Sequence, residues 1–209
     1  MSKTKEKILK TALKLYNSKG VSNVSIRHLA KEAGISHSNL IYHFSGQESI
    51  ILDLHVLMLQ RALELNSEIN QSPVSLEKFY MGTKAGFMVV YDFRFLFNDL
   101  KYICFTFPEV KRVLLEIEAI RSGMYHSLIS GLIAENLMRE EEFESEYDQL
   151  ITLIKIYSDH WLVSSNIYDS SSKQEKIEKY SKLLLTFFYP YLTDKGKNDC
   201  RKLVQINKH

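Results

Sequence analysis

Proline, glycine and cysteine are all scarce in this chain. Its 209 residues hold three prolines, eight glycines and two cysteines. So few breakers argue against many short strands joined by tight turns and favour long helices. Cys104 and Cys200 are too few for a disulfide framework, and neither lies in a Cys/His cluster with zinc spacing, so no metal is expected. No apolar run is long enough to cross a bilayer, and the basic N-terminal stretch lacks an apolar signal core. A cytoplasmic protein with no membrane partner is expected. Also missing are a nucleophile elbow, a glycine-rich phosphate loop and a His-Glu-x-x-His zinc motif. Asp159 and His160 are adjacent but isolated. No catalytic residue and no cofactor are expected, and an enzyme is the weaker reading.

What is present is an ordinary globular balance, 45% hydrophobic and 25% charged. Its net charge of +2 conceals an asymmetry. Residues 1–47 carry seven lysines and Arg27 against Glu6 and Glu32, a net of +6, so the remainder carries −4. A basic head on an acidic body suits a polyanionic partner, although a lysine-rich solvated helix alone would give the same count.

Helical periodicity runs through the whole chain. The first helix is expected from about Thr4 to Lys19, with Ile8, Leu9, Ala12, Leu13 and Tyr16 inward and Gly20 ending it. Ser25 and Ser36 are placed to cap two short helices, at about 26–33 and up to Phe44. Ser45 and Glu48 have capping-box spacing and open a helix at about 46–69, before Pro73. Further helices are expected at 75–91, at 93–106, and from Pro108 onward with Val110, Val113, Leu114, Ile117, Met124, Leu128 and Leu132 inward. Others are expected at 143–168 and, capped near Ser172, at 174–189, with a short polar helix after Thr193. The expected fold class is therefore all-α.

Residues 25–44 read SIRHLAKEAGISHSNLIYHF. Ala30 and Ala33 are small where two helices would cross, and Gly34 permits a tight turn between them. Leu29, Ile35 and Leu40 can seal the pair against the first helix. The second helix of the pair then shows His37, Ser38, Asn39, Tyr42 and His43, short polar or aromatic groups suited to base edges and phosphates in a major groove.

This string resembles the TetR family signature over about residues 5–55. That resemblance implies an N-terminal three-helix DNA-binding domain with a helix-turn-helix at 1–47, followed by a larger helical effector-binding and dimerisation domain at 48–209. It implies DNA contacts from Ser25, Arg27, Ser36, His37, Ser38, Asn39, Tyr42, His43 and Gln47. Two positions depart from the family pattern. Ile41 stands where many members have a phosphate-binding tyrosine, and Gln47 stands where many have a lysine. The function implied is a repressor that a small apolar or amphipathic effector releases from a palindromic double-stranded DNA operator. A helical DNA-binding protein without an effector and, less favoured, a helical enzyme are the alternatives.

The C-terminal part is rich in aromatics. Phe87, Tyr91, Phe95, Tyr102, Phe105, Tyr125 and Trp161, with His126, are candidate linings for an effector cavity, although each taken singly is more often a core residue. The helices at about 146–168 and 174–189 carry more apolar surface than one inward stripe needs, and in the family two such helices per subunit form a homodimer interface.

Overall fold

Serine starts the helices. The computed structural model describes residues 2–67 and 74–205. Ser2, Ser25, Ser36 and Ser172 each accept a hydrogen bond from the backbone N–H three residues on, which satisfies a donor that a helix start leaves unpaired. They open α1 (Lys3–Lys19), α2 (Ile26–Glu32), α3 (His37–His43) and α10 (Lys173–Phe187). The other helices are α4 (Gln47–Ser67), α5 (Leu76–Asp92), α6 (Phe95–Asn98), α7 (Leu100–Thr106), α8 (Pro108–Ala134), α9 (Glu146–Tyr168) and α11 (Asp194–Gln205). Among the described residues the fold is all-α, with one isolated β-bridge between Met138 and Leu192. No helix there is long and apolar enough to cross a membrane.

The chain forms two compact units, Met1–Arg61 with Val90–Ile117, and Ala62–Val89 with Glu118–His209. The division expected at 47/48 follows the motif. By packing, the first part of α4 and Val90–Ile117 group with the N-terminal helices. In this first unit Ile8, Leu9, Ala12 and Tyr16 of α1 are buried with Leu29, Ala30, Ala33, Leu40 and Phe44. Leu15, rather than Leu13, completes the inward stripe of α1. The second unit buries Leu150, Ile151, Ile154, Trp161 and Leu162 of α9 with Ile177, Leu184 and Leu185 of α10. At its edge Arg139 grips Glu146 with two bonds of 2.7 Å, and those bonds hold the Glu146 carboxyl down to about 2.

Several expectations are corrected. The helix expected at 93–106 is two helices that break at Asp99. The Ser45–Glu48 capping box is absent: the Ser49 hydroxyl bonds the Gly46 backbone, while Glu48 accepts from the Glu109 N–H at 2.9 Å and so caps α8. Met124, expected inward, is exposed. The last long helix stops at Phe187, and a 3-10 turn Tyr189–Tyr191 follows it. Ile69 and Pro73 lie outside the described residues.

Candidate nucleic-acid interface

Helices α2 and α3 form a helix-turn-helix. Gly34 lies in the turn with φ +62°, a left-handed conformation that L side chains adopt only at a cost. The Ile35 N–H donates to Ala30 O at 3.1 Å, which folds the turn back onto α2. Of the seven residues of α3, only Leu40 is buried, and Phe44 closes the core just after it. Ser36, His37, Ser38, Asn39, Ile41 and Tyr42 are exposed, Tyr42 at 84%. Its ring stands edge-on to His43 at 5.2 Å. One inward anchor and a fully displayed outer face are what a helix needs to enter a groove without disturbing its own core.

The serine hydroxyls at 25 and 36 accept the helix-capping bonds, so their protons are what can face a phosphate. Arg27 is exposed at the start of α2. His28 lies 3.5 Å from Lys19 Nζ and 3.8 Å from Glu32, contacts within its own unit. Lys3, Lys7, Lys10 and Lys14 of α1 are exposed, and Lys7 Nζ lies 3.5 Å from where a Gly34 side chain would begin. Lys5 is different, for it pairs with Asp53 at 2.6 Å and covers the Phe44 ring.

Gln47 does not present its amide outward as a phosphate contact would. Its Nε2 donates to Val24 O at 2.5 Å and to Val21 O at 3.2 Å, which uses both hydrogens of the amide. The same lead-in segment is held from another side, where Asp99 Oδ2 accepts the Val21 N–H at 2.6 Å. Asn17 adds a clasp beside it: its Nδ2 donates to Asp92 O at 2.7 Å and its Oδ1 accepts from Phe95 N at 3.0 Å. Sequence reasoning missed Asn17 and Asp99. Neither periodicity nor spacing exposes the break at Asp99 or its partner 78 positions away.

The eight residues expected to line an effector cavity are divided between the two units. Tyr91, Phe95, Tyr102 and Phe105 belong to the first unit; Phe87, Tyr125, His126 and Trp161 belong to the second. Phe95 is core against Tyr16, Tyr91 lies under the Arg94 guanidinium, and Tyr102 meets Phe107 edge-on. Phe105 is 83% exposed because α7 turns that ring to solvent. It borders a shallow open depression of about 420 Å³ with Asn98, Asp99, Lys101 and Tyr102. In the second unit His126 pairs with Asp148 at 3.3 Å on the surface, and Tyr125 is half-buried beside Arg121. Phe87 stacks on Trp161 at 4.5 Å.

Comparison with known proteins agrees with this architecture. Residues 8–54 match the family described as bacterial regulatory proteins, tetR family, and residues 58–200 match the family described as bacterial transcriptional repressor, TetR. The "Probable HTH-type transcriptional regulator YttP" of Bacillus subtilis is 38% identical over 48 residues, a stretch that is 23% of each chain. The match thus spans about a quarter of that relative's length. A TetR-family transcriptional regulator from Marinobacter aquaeolei VT8 has the same fold, with TM-score 0.87, 21% identity and 98% coverage of both chains. The "putative transcriptional regulator from Saccharomonospora viridis in complex with choline" aligns with TM-score 0.75 and 16% identity over 92% of this chain and 100% of its own. With family models matching both the helix-turn-helix and most of the remaining chain, this protein belongs to the TetR family of bacterial transcriptional regulators.

Proposed function

We propose that the protein is a cytoplasmic repressor that binds a near-palindromic DNA operator as a homodimer and is released by a small apolar or amphipathic effector. The observation that carries the DNA reading is α3, which spends one residue on the core and displays the others. His37, Ser38 and Asn39 are placed to meet base edges. Ser25, Arg27, Ser36, Tyr42 and His43, with the α1 lysines, are placed to meet phosphates. The homodimer reading is supported by α9 and α10, where Leu153, Ile156, Ile167 and Leu183 are exposed on helices whose other faces are core. Release is supported by continuity of the chain, which passes from one unit to the other inside α4, α5 and α8. An effector shifts the operator equilibrium only by its differential affinity for the two states, typically about 1–3 kcal/mol.

Asn39→Ala tests the DNA reading. The α3 cap uses the Asn39 backbone N–H, so the variant keeps the helix start. Loss of a good base contact is expected to cost about 1–3 kcal/mol and to relax preference at one base pair of each half-site. Binding titrations on duplexes varied at each position measure this. A uniform loss across all duplexes, with preference unchanged, would move base reading to another residue.

A further inference from the structure

The centre of the second unit is a run of rings contributed by three helices. Phe87 of α5 stacks on Trp161 of α9 at 4.5 Å and 16°. Tyr180 of α10 lies 5.4 Å from the indole, and Tyr157 lies 6.2 Å from Phe87. The Tyr157 phenol is satisfied, donating to Tyr180 O at 2.8 Å. Three polar atoms around the stack are not. Trp161 Nε1, Ser158 Oγ and Ser181 Oγ are buried without a hydrogen-bond partner among the described residues. Trp161 is 1% exposed, Ser181 is fully buried, and Ser158 lies one helical turn before Trp161 on the same side of α9. A core selected for packing alone would place apolar atoms at all three positions, because each unmade bond costs stability.

We propose that these three groups are the polar end of an effector site, and that the effector is an apolar compound carrying a carbonyl oxygen. This rests on the effector reading above. The indole N–H donates and cannot accept, so its complement must be an acceptor. Each serine hydroxyl also has a proton left to donate. A quaternary ammonium offers no acceptor and would leave the indole unpaired. Lys179, 5.5 Å over the Tyr180 ring, already pairs with Asp169 at 2.8 Å, and other cations of this unit are also partnered: Lys84 and Lys182 with Glu178, Arg121 with Asp159, Lys155 with Glu118, and Lys176 with Asn166. Lys78 Nζ is buried without a partner, but it precedes Phe87 by nine residues, about 13 Å along α5.

Trp161 is the only tryptophan of the chain, so its emission reports on the site directly. The full chain is titrated with 2-decanone, decanoate and decyltrimethylammonium, which share a tail and differ in the head group. Saturable change with 2-decanone is expected, with decanoate distinguishing a neutral carbonyl from a carboxylate and decyltrimethylammonium silent. The double variant Ser158→Ala/Ser181→Ala removes two unpaired hydroxyls. It is expected to melt no lower than the parent while binding 2-decanone about tenfold more weakly. Trp161→Phe, followed by calorimetry, is expected to weaken binding similarly. The proposal is overturned if decyltrimethylammonium binds as tightly as 2-decanone, if the variants bind 2-decanone unchanged, or if no probe binds. Operator titrations separate this from the effector reading. Ketone binding at Trp161 that leaves operator affinity unchanged refutes release and keeps the site. Release by a compound that ignores both variants keeps release and refutes the site.

Discussion

Leu153→Glu combined with Ile156→Glu is expected to give a folded monomer that binds a two-half-site operator at least about 100-fold more weakly than the parent. The two side chains are 55% and 57% exposed and stand three residues apart on α9, hence on one side of it. They touch little of their own subunit's core, so glutamates there cost the monomer little. Across a two-fold interface each glutamate would be desolvated, and its symmetry mate would bring like charge, which costs several kcal/mol. Operator binding falls because the second α3 no longer arrives tethered to the first, and tethering is worth roughly 10²–10⁴ in affinity. Sedimentation and an operator titration measure both effects. A double variant that stays dimeric would move the interface away from α9. Deleting everything after Tyr168 is a poorer probe, since it also removes Ile177, Leu184, Leu185 and Phe188 from the core.

Asp99→Ala is expected to lower the melting temperature by several degrees and to weaken operator binding about tenfold. The carboxylate accepts the Val21 N–H at 2.6 Å, and Val21 is fully buried. Without it a buried donor is left unmade, at about 1–3 kcal/mol. The segment it holds, residues 20–24, runs directly into the Ser25 cap of α2 and is gripped on its carbonyls by Gln47. Losing one of the two grips lets the helix-turn-helix shift against α1, and a recognition helix tolerates little displacement in a groove. Asp99→Asn is expected to recover most of both losses, because its amide oxygen accepts the same bond. If Asp99→Ala melts and binds like the parent, the lead-in is positioned by Gln47 and α1 without it.

Much of the DNA-binding half was legible in the residues. Ser25, Ser36, Gly34 and the two alanines do their work locally, within one turn or one helix crossing, and local chemistry is what a sequence displays. The capping box at Ser172 and Glu175 was readable for the same reason and is present. Glu48 was misread because its spacing fits a local cap, whereas the α8 start at Glu109 offers it an N–H 61 positions away. Gln47 shows the same pull of distant partners: its place in the family pattern suggested a phosphate, and its amide bonds the carbonyls of Val21 and Val24. The aromatics show the general limit. Phe95, Phe105 and Trp161 are all aromatics on helices, yet one packs on Tyr16, one faces water and one stacks on Phe87. Helical spacing gives the face of a residue and not the partner that the fold brings to it.

The claim that this protein reads DNA sequence is tested most directly by selecting bound duplexes from a random pool at moderate salt and titrating the winners across salt concentrations. The expected result is one enriched near-palindrome, its half-sites about one helical turn apart, roughly 34–36 Å, with affinity falling linearly on a log–log plot as salt rises. A pool that enriches no sequence, or binding that ignores salt, would contradict it.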